Sequence, residues 1–269
     1  LILENIEKTF TDIKFAVLDY FESNDIAGIA FELKDKAEIV TMVDRDVDSI
    51  IIGKIMKDFP DHWIISEESG ETGGCGDWAW YIDPVDNTVG LVGGERDIST
   101  SIALKMGERH IRSMVLNPRT GEVFEANQQE CFKNGKKIQT CKGSLFDKSR
   151  GISTCAYVTK TRIDQARQII GRIYENRLPL RVSGGSALDL CFVAEGKQIA
   201  HVSLGAHTWD VEAGIHMVRK AEGLVMTFNH NPRTSSMGLM AAASEAVMDE
   251  LRSLLGDIII DLDDLGKRL

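Results

Sequence analysis

The chain has 269 residues, 43% of them hydrophobic and 27% charged, enough for one large domain or two smaller ones, each with its own core. A net charge of −10 and a pI near 5.2 argue against a surface for nucleic-acid polymers, which needs basic excess, and suit a cytoplasmic protein. There is no apolar run of about 18 residues to predict a membrane span, and no basic and apolar leader to predict a signal peptide. Cys75, Cys131, Cys141, Cys155 and Cys191 lack a CxxC pair, which points to a reducing compartment rather than a disulfide framework or a zinc site. The chain opens at leucine, which implies an N-terminal residue or two ahead of it.

Leu3, Ile6, Phe10, Ile13, Val17 and Tyr20 recur every three or four residues and predict an amphipathic helix. Glu38–Val43 is β-branched and strand-like, with Asp44 directly after it. A helix follows from about Asp46 to Lys57, with Val47, Ile50, Ile51, Ile55 and Met56 on its apolar side and Pro60 as its stop. Strands are expected over 63–66, 78–82, 98–105 and 111–117, with Met106–His110 turning between the last two. Pro118–Gly121 reads as another turn, Glu122–Ala126 as a strand and Asn134-Gly135 as a strong turn signal.

After residue 143 strands and helices alternate: strand 151–158, helix 163–176, strand 178–182, a helix through Leu188 and Ala194, and strand 199–203. Trp209-Asp210 then opens a helix running through Val218, beyond which no element is assigned. The pattern predicts an α+β half over 1–143, which holds most of the acids, and an α/β half over 144–269. The two are expected to pack closely as one catalytic unit.

Acids fall where apolar runs end: Asp44, Glu67 in Ser66-Glu67-Glu68-Ser69, Asp83 and Asp86 in Ile82-Asp83-Pro84-Val85-Asp86-Asn87-Thr88, and Asp210 after Trp209. Each has a plainer reading alone, because adjacent glutamates are usually solvated and aspartates beside helices are usually caps. Pro84 fixes its own φ and biases Asp83 toward extended backbone, which predicts a stiff turn between two carboxylates. Five convergent carboxylates would repel one another without cations, and oxygen ligands with no interleaved His or Cys suit Mg²⁺ or Mn²⁺. Asn87 and Thr88, at an expected helix start, would turn backbone N–H groups toward a phosphate.

These motifs, with Val115-Leu116-Asn117-Pro118, Gly121-Glu122-Val123-Phe124, Asn134-Gly135, Gly184-Gly185-Ser186-Ala187, Val193-Ala194-Glu195-Gly196 and Trp209-Asp210-x-x-Ala213-Gly214, resemble in order the signature of the inositol monophosphatase superfamily. That group includes inositol monophosphatases, archaeal-type fructose-1,6-bisphosphatases and bisphosphate nucleotidases, and the resemblance spans roughly residues 1 to 255. It implies a layered αβαβα sandwich of the sugar phosphatase type, combining α+β and α/β parts, and two or three Mg²⁺ ions. It also implies a small phosphorylated substrate, no membrane partner and a homodimer.

Carried over residue by residue, the resemblance gives Glu67, Asp83 and the Val85 carbonyl to one ion, and Asp83, Asp86 and Asp210 to a second. Asp44 helps hold a third, weaker ion. Asp44, Thr88 and Glu67 form the catalytic set, with Thr88 and Asp44 orienting or deprotonating the attacking water. The Asn87 and Thr88 amides grip phosphate, and Gly184, Gly185 and Ser186 line the substrate pocket. The chemistry is metal-assisted hydrolysis without a covalent phosphoenzyme, between ions about 3.5–4 Å apart.

Two positions depart from the family pattern. Asn87 stands where glycine is usual, and Asn tolerates positive φ while keeping its N–H. Ser203 stands seven residues before Asp210, where animal-type inositol monophosphatases carry an inositol-contacting glutamate. Arg181 is read either as a contact to a second phosphate or sugar hydroxyl or as a surface arginine on an edge strand. His207, beside Trp209, is read either as a substrate contact or as a packing residue near the site. The expected activity is hydrolysis of inositol-1-phosphate and/or fructose-1,6-bisphosphate. The alternatives are a 3′(2′),5′-bisphosphate nucleotidase and a non-catalytic regulatory family member.

Overall fold

The structure, a computed structural model, describes residues 2–26, 28–34, 39–74, 76–155, 162–231 and 236–259. Glu38, Cys75 and the 156–158 end of the strand expected over 151–158 lie outside the described residues. The architecture is mixed α/β, with several sheets and helices, and divides into two compact units, Leu1–Lys136 and Lys137–Leu269.

The first unit opens with α1 (Ile2–Ser23), whose Ile6, Phe10, Ile13 and Val17 are buried as their spacing predicts, joined by Phe21, while Leu3 is exposed. A short antiparallel pair, β1 (Phe31–Leu33) and β2 (Ile39–Thr41), leads directly into α2 (Met42–Asp58). That helix starts earlier than its apolar periodicity suggests, because Thr41 caps it: the Thr41 hydroxyl accepts the Val43 N–H at 3.1 Å. Asp44 is therefore a first-turn helical residue and not the end of a strand.

Next come β3 (Trp63–Ser66), β4 (Gly70–Gly73), β5 (Trp78–Asp86), α3 (Thr88–Gly93), β6 (Ser99–Met106), β7 (Arg109–Asn117), β8 (Glu122–Ala126), β9 (Cys131–Lys133) and β10 (Lys136–Lys137). They form an eight-stranded sheet in the order β10-β9-β8-β7-β6-β5-β3-β4. β5 pairs antiparallel with β6 but parallel with β3. One face of the sheet presents Ile64, Trp80, Ile82, Ile102, Leu104, Met114 and Leu116 to α1 and α2 in a single apolar core. Cross-strand pairs such as Trp80 with Leu104 and Ile82 with Ile102 line this face, and each large side chain so buried contributes about 1.5–3 kcal/mol. A one-residue slip would turn these side chains to the opposite face, so the core sets the register of the strands that carry the acids.

The second unit begins with a single 3₁₀ turn (Leu145–Asp147) and contains β11 (Ile152–Cys155), α4 (Ile163–Glu175), β12 (Leu180–Ser183), α5 (Ser186–Ala194), β13 (Ala200–His207) and α6 (Thr208–Lys220). It ends with β14 (Leu224–Asn231), β15 (Ser236–Ala242) and α7 (Glu245–Leu255), which the sequence reading did not assign. The sheet order is β12-β11-β13-β15-β14, parallel among the first three strands and antiparallel beyond. Among the described residues no helix is long and apolar enough to cross a membrane.

His62 sits at the base of β3, its ring stacked against Phe59 (4.6 Å) and Trp78 (5.2 Å), with Nδ1 accepting the Trp80 indole N–H at 3.0 Å. Burial lowers its pKa and favours the neutral ring in the folded chain, outweighing the opposing pull of Asp61. The unfolded chain takes up this proton near about pH 6.5, so His62 contributes stability above that pH and loses it as pH falls toward the lower folded-state value. Thermal midpoints measured from about pH 7 down to about pH 5 should therefore fall more steeply in the wild type than in His62→Gln.

Candidate metal centre

Parallel pairing gives β3 and β5 the same direction, with Ser66 opposite Ile82. Glu67 is the first residue past β3, and its N–H donates to the Ile82 carbonyl at 3.1 Å, carrying the ladder one step further. Glu67 and Asp83 thus lie side by side at one level, Glu67 just past β3 and Asp83 within β5, with carboxylate oxygens within 4.8 Å of each other. Asp83 is buried, and its Oδ1 accepts the Val85 N–H at 3.0 Å.

Asp83–Asp86 does not form the turn expected from the Asp-Pro pair. It continues β5 through a bulge, with Asp83 opposite Ser101 and Asp86 opposite Ser99. In an unbroken strand, residues three apart point to opposite faces; the extra residue cancels that offset and puts both aspartates on the Ser99–Ser101 face. Proline is tolerated here because a bulge releases the ladder N–H it lacks. Its carbonyl accepts the Thr100 hydroxyl at 2.8 Å, and the Ser99 hydroxyl donates to Asp86 Oδ2 at 3.4 Å.

Asp44 reaches the same region from α2. Its Oδ2 accepts the Thr41 N–H at 2.8 Å and the Thr41 hydroxyl at 2.5 Å, completing a capping box, while its Oδ1 is 2.9 Å from the Thr88 hydroxyl. Thr88 Oγ1 also lies 3.1 Å from the Val85 carbonyl. Asn87 precedes α3 with φ 72°, in the left-handed region.

Two residues here escaped the sequence reading. Asp48, buried within α2, accepts hydroxyl hydrogen bonds from Ser66 on one oxygen and Ser69 on the other, bracketing Glu67-Glu68 from both sides. In sequence it looks like any helical acid. Lys34 donates to Glu67 at 3.0 Å and also to Glu68. Burial works to lower the Lys34 pKa, but the charges and hydrogen bonds of Glu67 and Glu68 prevail and push it up to about 12. Any cation on Glu67 would share its carboxylate with this ammonium.

In the second unit Asp210 is the third residue of α6, and its Oδ2 accepts the His207 N–H at 2.8 Å, so it is a first-turn residue and His207 is the cap. The His207 ring stacks on Trp209 at 4.6 Å. Arg181 lies on edge strand β12, with its Nε donating to buried Asp189 at 3.1 Å and its guanidinium 5.4 Å from the Phe192 ring centre. Ser183 also donates to Asp189. Gly185 precedes α5, Ser186 begins it, and Ser203 is buried on β13.

The pattern of the inositol monophosphatase family matches residues 5–259. The chain belongs to that family. The Nus factor SuhB of Pasteurella multocida is 32% identical to it over 236 residues, covering 85% of this chain and 86% of the relative. The inositol-1-monophosphatase of a Synechocystis species is 30% identical over 220 residues, 81% of this chain and 77% of the relative. Among solved structures, the extragenic suppressor protein SuhB of Bartonella henselae shares the fold at a TM-score of 0.81 and 22% identity, covering 94% of this chain and 98% of that one. At the level of the family, the chain is a metal-dependent phosphatase.

Asp48 accepts two hydroxyl donors in a buried setting, and removing it leaves both without their partner. Asp48→Ala should lower unfolding stability by about 1–3 kcal/mol in denaturant titration, and Asp48→Glu should recover part of that loss.

Proposed function

We propose that the chain hydrolyses a small sugar or polyol phosphate, inositol-1-phosphate and/or fructose-1,6-bisphosphate being the first candidates. The observation that carries this reading is the pair of carboxylates, Glu67 and Asp83, beside the Thr88–Asp44 hydrogen bond. The donor set is hard oxygen throughout, which fits Mg²⁺, with Mn²⁺ as the substitute.

In this reading Glu67, Asp83 and the Val85 carbonyl hold one ion. Asp83, Asp86 and Asp210 hold a second, and Asp44 helps to hold a third. When bound, such ions make water a stronger acid and neutralise phosphate charge. The Val85 carbonyl has two lone pairs, so accepting from Thr88 leaves it able to ligate. The Thr88 hydroxyl can take a proton from water on its oxygen and pass its own to Asp44 Oδ1, and Thr41 keeps that carboxylate in orientation. The Asn87 and Thr88 N–H groups orient phosphate, while Gly184, Gly185, Ser186 and Arg181 meet the rest of the substrate, with Asp189 directing Arg181. Ser203 offers no carboxylate for inositol, which supports keeping fructose-1,6-bisphosphate beside inositol-1-phosphate. A homodimer accompanies the reading as an expectation of the resemblance, and a cytoplasmic location as one of the charge and cysteine pattern.

A second reading is a non-catalytic regulatory family member, and it is kept because several relatives carry the name Nus factor SuhB. Phosphate release with and without Mg²⁺ from inositol-1-phosphate, fructose-1,6-bisphosphate and adenosine 3′,5′-bisphosphate separates the possibilities. Release from one of the first two supports the proposal, release from the third alone supports a nucleotidase, and no release from any sinks hydrolysis. Asp86→Asn should lower kcat/KM by about 100-fold or more, because several kcal/mol of charge stabilisation is withdrawn.

A further inference from the structure

Glycine alone would satisfy the backbone at position 87, so the Asn87 side chain requires its own account. It is nearly buried and folds inward. Oδ1 accepts the Gly90 N–H at 2.9 Å, and Nδ2 donates to the Asp97 carbonyl at 2.8 Å and to Glu95 at 3.2 Å. Both amide donors and the carbonyl are thereby in use.

The room for this carboxamide comes from Gly90. A Cβ at Gly90 would lie 2.2 Å from Asn87 Nδ2, 2.6 Å from Cγ and 2.8 Å from Oδ1, far inside the roughly 3.5–4.0 Å of ordinary contact. The segment that Asn87 grips runs into β6, where Ser99 holds Asp86. The stretch 86–99 is therefore closed at both ends, with Thr88 inside it.

We propose that Asn87 and Gly90 are a reciprocal pair, in which the carboxamide clamps the start of α3 to residues 95–97 and makes Asn87 a positioning residue for Thr88. The proposal rests on the hydrolytic reading above. Without the clamp, the first turn of α3 keeps the Thr88–Asp44 bond but loses three of its side-chain ties. Misplacing a reacting group by an ångström can cost about 100-fold in rate.

The test is a double-mutant cycle of wild type, Asn87→Gly, Gly90→Ala and the double variant, read by thermal midpoint and by kcat and KM with Mg²⁺. Gly90→Ala should lower the wild-type midpoint by about 2–4 °C or more. In the Asn87→Gly background it should raise the midpoint, because alanine then fills vacated space and favours the helix. Well below the midpoint, Asn87→Gly should lower kcat by about tenfold or more with KM within about twofold. Equal midpoint shifts in both backgrounds would overturn the pairing, and an unchanged kcat would overturn the positioning role. A wild type inactive on every substrate tried would remove the hydrolytic reading and the positioning role together, while the midpoint cycle would still judge the pairing by itself.

Discussion

The parallel pairing of β3 with β5 is the constraint on which the first unit's acidic cluster depends. The pairings β3–β4, β5–β6, β6–β7, β7–β8 and β8–β9 are antiparallel, and antiparallel neighbours send their ends to opposite edges. Among the described pairings only the parallel one sends two neighbouring strands the same way, so that Glu67, just past the end of β3, lies level with Asp83 within β5. Their level is set from the far side of the sheet, where Ile64, Trp80 and Ile82 are locked into the core with α1 and α2. The apolar face thus decides where the charged groups emerge.

Asp44 and Asp210 share a local device, each within its own unit. Each is the third residue of a helix that directly follows a strand, and each gives one oxygen to the backbone N–H of its cap residue. Such a capping contact is worth about 0.3–1.5 kcal/mol, and it also fixes the direction of the remaining oxygen. Helix initiation and the orientation of a carboxylate oxygen therefore draw on the same side chain.

Much of the fold was legible because period and boundary agree. Strands 63–66 and 122–126 are bounded by turn residues and appear with those limits, and the Ile6–Val17 stripe is buried as read. The start of α2 was misplaced because its first turn, Met42 to Arg45, shows no apolar period, and a threonine cap inside a β-branched run looks like strand. The bulge in β5 was read as a turn because Asp-Pro signals one, whereas the pairing that keeps the segment in the sheet comes from β6. The strands and helix after Val218 went unread. Motif order marked the acids as a set, but the anchoring by Asp48 depends on residues 18 and 21 positions away and leaves no local trace.

Ser66-Glu67-Glu68-Ser69 is a chemical palindrome, identical read in either direction. Nothing within it distinguishes one glutamate from the other. The structure breaks that symmetry with the hydrogen bond from the Glu67 N–H to Ile82, which makes Glu67 the neighbour of Asp83, while Glu68 is drawn into burial beside Lys34. Burial then raises the Glu68 pKa against the opposing pull of Lys34. Two residues of one kind thus acquire different chemistry from a choice made by another strand. Which glutamate joins Asp83 is a property of pairing, not of the tetrapeptide that contains it.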